Sequence, residues 1–322
     1  MKLFRGFKNI RGVLRNPVVT IGSFDGVHKG HQKIIKTAVD TAKKIEGTSV
    51  VITFDRRPIT VFSPGICHDM IMPLEDKIQK LSDLGVDVVI LVRFNRKFAS
   101  IDAERFIDKI LCRKLKIIQL VVGKNFRFGK SRKGDVSLFR QLSNRYGFKV
   151  KVVSEEKYRG EVISSTKIRG FLKSGSITLA QSLLGHTYSI LGTVIRGSGR
   201  GRVLGIPTAN VACDNKRVVP KGVYAVRLQL KDKEYEGVCN VGDRPTFEQR
   251  DSKNTTKRCT YVIEVHLFGL SGYMYGRKVH VIFIKKIRDE KRFKNSGNLV
   301  LQIRKDIVQS LNILRTKRAL QN

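Results

Sequence analysis

At 322 residues, 41% of them hydrophobic, the chain is long enough for two ordinary domains, each with its own core. Lys and Arg number 63 against 27 Asp and Glu, a formal net charge of +36 that suits anionic partners such as nucleotides or nucleic acid. No apolar run nears the roughly 20 residues that span a bilayer, and the basic N-terminal segment lacks the apolar stretch of a signal peptide. Five scattered cysteines (Cys67, Cys112, Cys213, Cys239, Cys259) form no Cys-x-x-Cys pair, so the expectation is a reduced, cytoplasmic protein without membrane or zinc.

Val18–Ile21 reads as a short buried strand, and Gln32–Lys44 carries apolar residues at helical spacing. Between them runs Gly22-Ser23-Phe24-Asp25-Gly26-Val27-His28-Lys29-Gly30-His31. Glycines let the backbone approach a ligand, and the unpaired N–H groups of a first helical turn attract anions. His28 and His31, three apart, share one face of that turn. The string predicts a nucleotide-phosphate site. A metal-binding pair or a plain polar helix start are the alternatives that these ten residues leave open. No Walker-type Gly-x-x-x-x-Gly-Lys-Ser/Thr string occurs.

Further strands are expected at Val50–Phe54, Val88–Val92, Leu120–Val122 and Val150–Val153, with helices at Leu74–Leu84, Ile101–Cys112 and Ser137–Tyr146. That alternation implies βαβ units and a parallel sheet, whose ligands bind beyond the carboxyl ends of the strands. Lys124-Asn125-Phe126-Arg127-Phe128 follows one such end. Its two phenylalanines, at i and i+2, suit a core. Ile163-Ser164-Ser165-Thr166-Lys167-Ile168-Arg169 then opens another helix, stopped at Ser174-Gly175. Read alone, the hydroxyls are accounted for by capping.

After Leu183-Leu184-Gly185 the pattern changes to short strands with glycine-rich turns: Tyr188–Ile195, Gly222–Leu230, Tyr235–Val241, Tyr261–Leu267 and Lys278–Ile284. A small barrel is expected, closed by a helix over Leu299–Leu314, with domains at 1–184 and 185–322. Gly197-Ser198-Gly199-Arg200-Gly201-Arg202-Val203-Leu204-Gly205-Ile206-Pro207-Thr208-Ala209-Asn210 reads as backbone amides wrapping an anion. Thr208 and Asn210 offer oxygens to Mg²⁺. An arginine loop for RNA is the alternative on composition alone.

These strings carry a resemblance. The first is similar to the GxFDGxHxGH form of the nucleotidyltransferase HxGH signature, Ile163–Arg169 to its ISSTxIR element, and Val122–Gly129 to a VGxDFRFG segment. Gly201–Asn210 resembles the GRxLGxPTAN signature of riboflavin kinases. Together they resemble the bacterial FMN adenylyltransferases fused to riboflavin kinase. The resemblance implies a Rossmann-like α/β nucleotidyltransferase domain followed by a small antiparallel β-barrel with a terminal helix. It implies conversion of riboflavin to FMN and of FMN to FAD, with ATP as co-substrate and Mg²⁺ as cofactor.

Residue by residue, the resemblance places His28, His31 and Arg169 at adenylyl transfer, with Gly22, Phe24, Gly26, Gly30, Ser164, Ser165 and Thr166 around ATP. Asp25, Asn125, Phe126 and Phe128 fall at the flavin. In the second domain Gly197, Arg200, Gly201, Arg202 and Gly205 fall at ATP, Thr208 and Asn210 at the metal, and Glu264 at the catalytic base. The family pattern is broken at Arg57 (histidine in TFEPHP), at Ile71-Met72-Pro73, at His186 and at Gly269. One silent module, a different acceptor for the first domain, or a nucleic-acid binder on a borrowed fold are the rival readings. Nucleic acid is not the partner that the resemblance implies, despite the basic charge.

Overall fold

Runs dominated by Val, Ile and Leu, buried on both faces, make the central strands of a parallel sheet. The computed structural model describes all residues except 9, 11, 13, 64–68, 198, 214–216, 244–260, 271, 273 and 320–322. For Arg200, Asp243 and residues 317–319 it describes the backbone alone. The chain divides into two compact units, Met1–Ser165 and Thr166–Asn322.

The first unit holds a six-stranded sheet in the order β1-β4-β3-β2-β5-β6. Its strands are β1 (Lys2–Arg5), β2 (Val18–Ile21), β3 (Ser49–Phe54), β4 (Val88–Val92), β5 (Gln119–Gly123) and β6 (Lys149–Val153), paired in parallel throughout. The helices are α1 (Lys29–Lys44), α2 (Ile59–Phe62), α3 (Leu74–Asp83), α4 (Arg96–Ala99), α5 (Ala103–Phe106, continued as a π-helical turn to Cys112) and α6 (Val136–Tyr146). The strand order reverses between β2 and β5, and the crevice beyond their carboxyl ends is where such sheets take ligands. Both loops singled out in the sequence, after Ile21 and after Gly123, leave from that edge. Strand β1 went unforeseen because Lys2–Arg5 is a short run, largely exposed, with a charge at each end. It sits at the sheet edge, where charged side chains discourage further pairing. A two-stranded hairpin, β7 (Lys157–Tyr158) and β8 (Glu161–Val162), leads out of the sheet.

The second unit begins inside α7 (Ser165–Lys173) and includes α8 (Ile177–Leu184), so the compact division lies before both helices. Its body is a closed barrel, β10-β13-β12-β11-β14-β9. The strands are β9 (Tyr188–Ile195), β10 (Ala209–Cys213), β11 (Gly222–Leu230), β12 (Lys233–Asp243), β13 (Tyr261–Leu267) and β14 (Lys278–Arg288). A single turn, α9 (Arg200–Val203), precedes β10, and α10 (Ser296–Ala319) closes the chain. Inward Tyr188, Val226, Leu228, Val281 and Phe283 are almost fully buried. The Gln181 amide on α8 donates to Phe283 O on β14 at 2.6 Å.

Helix α10 is held on the barrel by Leu314, packed near Ala225 and Ile284, and by Ser310 donating to Gly237 O at 2.9 Å. Asp306, 2% exposed, accepts two bonds from Arg288 Nε at 3.0 and 3.1 Å and one from Arg288 Nη2 at 2.7 Å. Removing one partner of such a pair strands a buried charge. Asp306→Ala is therefore expected to cost the barrel about 3–5 kcal/mol, read as a lowered midpoint in urea unfolding; an unchanged midpoint sinks this account.

Candidate active sites

In the first unit, the turn after β2 is built from conformations most residues avoid. Phe24 and Val27 have φ of +47° and +37°, and Gly26 has +82°. A Cβ on Gly22 would lie 2.9 Å from the Phe24 ring, and one on Gly26 would lie 2.9 Å from Ile71. The turn delivers His28 to the N-cap of α1, where its Nδ1 accepts from His31 N at 3.3 Å. A neutral His28 therefore carries its proton on Nε2. The two imidazoles stack at 3.5 Å between centroids, 18° from parallel, and the Phe24 ring meets His31 edge-on at 5.2 Å. A Cβ on Gly30 would press on the His28 ring at 3.3 Å. The first turn of α1 holds no acidic residue, so its positive end is uncompensated by its own side chains.

Asp25, 7% exposed, anchors the turn rather than facing outward. Its carboxylate accepts from Ile71 N at 3.0 Å and Met72 N at 3.4 Å. Its carbonyl accepts from Ser165 Oγ at 3.1 Å, which brings the start of the second string onto the first. Ser164 lies beside it; Thr166 and Arg169 fall in the other compact unit. After β5, the Asn125 amide bonds the Glu155 carboxylate. Phe128 stacks on Phe139 at 4.1 Å, and Phe126 is 5.9 Å from Phe128. Phe128 is thus a core ring, and Phe126 is packed partly buried against that core. A second aromatic group went unforeseen: Phe54, Phe94 and Phe98 meet edge-to-face beyond β3 and β4, with Phe62 exposed beside Phe94. The group joins two stretches some forty residues apart, Phe54 with Phe62 and Phe94 with Phe98, so no single local string signals it.

In the barrel, Glu264 on β13 stands directly opposite Asn210 on β10 and Asn240 on β12. Alternation along β13 buries Ile263, Val265 and Leu267 and leaves Glu264 and His266 on the other face. Opposed residues on neighbouring strands place their Cβ atoms about 5 Å apart, so the three polar side chains form one group. The glycine-rich loop lies against them. A Cβ on Gly197 would overlap the Asn210 amide at 2.2 Å, and one on Gly201 would sit 3.1 Å from Thr208 Oγ1. Gly199 and Gly205 take φ of +75° and +71°, backbone that glycine adopts without strain. The His266 ring nitrogen Nδ1 lies 2.8 Å from Pro207 O and ties this loop to β13. Gly197, Gly201, Arg202, Thr208, Asn210 and Glu264 all line one cavity of about 790 Å³. The side chain of Arg200 lies outside the described residues.

Residues 11–167 match the FAD synthetase family and residues 184–314 match the riboflavin kinase family. A bifunctional riboflavin kinase/FMN adenylyltransferase of Buchnera aphidicola (from Schizaphis graminum) is 37% identical, covering 95% of this chain and 97% of its own length. The protein of that name from Escherichia coli K12 is 37% identical over 95% of this chain and 96% of its own. This chain belongs to the bifunctional riboflavin kinase/FMN adenylyltransferase family. A crystal structure described as a macrolide-efflux protein from Streptococcus pneumoniae has the same fold, with TM-score 0.83 and 29% identity over 94% of this chain and 96% of that one. Among the described residues no helix is long and apolar enough to cross a membrane.

The departures from the family pattern have local accounts. Arg57, in place of histidine, sets its Nε 3.9 Å from the Asp25 carboxylate and donates to Asp69 O at 3.2 Å. Ile71 and Met72 serve Asp25 through main-chain N–H groups, so their altered side chains leave that anchor intact. Gly269, in place of an acidic residue, has φ of +69° in the turn after β13. His186 Nδ1 lies 2.9 Å from Thr187 O. In sequence the segment 250–258 is longer than a typical turn of the family, and it lies outside the described residues.

Proposed function

We infer that this chain makes FMN from riboflavin and ATP in its barrel, and FAD from FMN and ATP in its α/β domain. The observation that carries this reading is identity at 37% over 95% of the chain to relatives named for both activities. We place the adenylyltransferase module at 1–184 and the kinase module at 185–322. A cytoplasmic location and no nucleic-acid partner go with this reading.

In the kinase step, Glu264 accepts the proton of the riboflavin 5′-hydroxyl as its oxygen bonds to the γ-phosphorus of ATP, and the γ-phosphorus bond to the bridging oxygen breaks to release ADP. The glycine loop with Arg200 and Arg202 cradles the phosphates. Thr208 and Asn210 are the residues that would hold Mg²⁺: both offer neutral oxygens suited to a hard cation, beside a space that only glycine at 197 keeps open. Bound there, Mg²⁺ neutralises charge on the transferring phosphoryl group.

In the adenylyl step, an FMN phosphate oxygen bonds to the α-phosphorus of ATP and pyrophosphate leaves. That nucleophile is already ionised at neutral pH and needs no base. His28 and His31 donate to charge on the α-phosphate, aided by the N-terminus of α1. Arg169 neutralises departing pyrophosphate, with Ser164, Ser165 and Thr166 at the β- and γ-phosphates. Asn125, Phe126 and Asp25 are assigned to flavin placement, Asp25 through the turn it anchors and Phe128 from beneath Phe126.

The test is one incubation of the protein with riboflavin, ATP and Mg²⁺, its flavins separated by chromatography. FMN followed by FAD is the expected result. FMN alone, with supplied FMN also left unconverted, would make this a single-function kinase.

A further inference from the structure

Most lysines of this basic chain sit at its surface, but Lys77 on α3 is 8% exposed. Its Nζ donates to Ser23 O at 3.2 Å, Thr53 Oγ1 at 3.2 Å and Phe54 O at 2.9 Å. Thr53 Oγ1 in turn donates to Ser23 O at 3.2 Å. An ammonium group has three protons and a neutral amine two, so the full set of bonds requires the charged form. Keeping a charge buried is costly. A neutral side chain would pack this position more cheaply, which points to a use for the charge.

We propose that Lys77 is a positioning residue for adenylyl transfer: its ammonium ties Ser23 to the end of β3 and so sets the turn that carries Phe24, His28 and His31. This rests on the adenylyltransferase reading of the first unit. The turn needs such ties because Phe24 and Val27 hold left-handed backbone, conformations that persist only where the surroundings enforce them. Asp25 secures the turn to Ile71 and Met72, and the Gln32 amide secures Val27 O at 2.8 Å. Lys77, together with the Thr53 hydroxyl, ties the turn to the end of β3, and it acts through Ser23 rather than on substrate.

The charged groups acting on Lys77 are Asp25, from the turn, and Asp55, after β3. Arg57 stands 3.9 Å from Asp25, and Arg56 stands 3.5 Å from Asp55. Burial pulls the Lys77 ammonium down from 10.5 to about 8, against the pull of the two carboxylates. The folded value lies below the unfolded one, so the buried charge costs stability below pH 8. That cost is relieved as pH rises from 8 towards 10.5. Positioning runs the other way, because deprotonation removes a bond to the turn. Above pH 8, FAD formation should fall while this group adds no loss of stability.

The experiment compares wild type with Lys77→Met in the full chain, measuring FAD formation from FMN and FMN formation from riboflavin in one preparation. We expect kcat for FAD to fall by about 10²-fold, the penalty of a small misplacement of catalytic groups. KM for ATP should stay within about threefold, FMN formation should be unchanged, and the alkaline decline near pH 8 should vanish. Wild-type kcat with the decline retained would overturn the proposal. Should Lys77→Met fail to fold, Thr53→Val decides: it removes one acceptor for the ammonium and one donor to Ser23, and a wild-type kcat there overturns the proposal equally. A wild type that makes FMN but no FAD would instead refute the adenylyltransferase reading.

Discussion

His31→Ala lowers FAD formation by about 10²–10³-fold, the usual loss when one donor to transition-state charge is removed, and leaves FMN formation at the wild-type rate. The geometry argues for so large an effect on one activity alone. His31 stacks at 3.5 Å on His28 and is met edge-on by Phe24, so its ring is held before substrate arrives. Its main-chain N–H caps on His28 Nδ1 and survives the substitution, which keeps α1 started where it is. His31→Asn, which retains a donor in a smaller side chain, should recover part of the rate. The measurement is separate initial rates for the two products at saturating ATP. FAD formation at the wild-type rate in the alanine variant would remove the imidazoles from the chemistry.

Glu264→Gln divides the two activities the other way. A general base contributes about 10²–10⁴-fold, and glutamine keeps the shape and hydrogen-bonding capacity while losing the ability to take a proton. FMN formation from riboflavin should fall by that factor, and FAD formation from supplied FMN should persist. The substitution leaves packing undisturbed, because Glu264 alternates with buried Ile263 and Val265 and faces the group formed with Asn210 and Asn240. The carboxylate also leaves a trace on a neighbour. Burial, with the Glu264 charge as a lesser cause, pushes the Cys239 thiol far up, so Cys239 stays protonated in either variant. Full kinase activity in Glu264→Gln would assign proton removal to another group.

Paired with the Lys77 variants, these substitutions separate contact with the reacting phosphates from support of the residues that make it. His31→Ala removes a donor, whereas Lys77→Met leaves every donor in place and moves them. Only the latter should abolish an alkaline decline near pH 8.

What the sequence determined by itself was local. Buried strands such as Val88–Val92 are continuous apolar runs, and their limits were readable because period and composition act over a few residues. The turn from Gly22 to His31 and the loop from Gly197 to Asn210 announced themselves because closely spaced glycines mark backbone shaped for turns and close approach. Four strands escaped: β1, a four-residue run that pairs only at an edge, the two-residue β7 and β8, too short for any period to show, and β10, hidden at the end of a motif that reads as a loop.

Tertiary structure decided what distant residues do to one another. Strand register, set by barrel closure, puts Glu264 between Asn210 and Asn240; none of the three is near another in the chain. Phe128, open in sequence to a flavin or a core, was assigned to the core by Phe139 stacking on it from α6. Lys77 reads on α3 as one more solvated charge beside Asp76 and Lys80. Only the folded chain brings Ser23 O, Thr53 Oγ1 and Phe54 O around its ammonium, because main-chain acceptors have no side-chain signature and their meeting point is fixed by how helix and sheet pack.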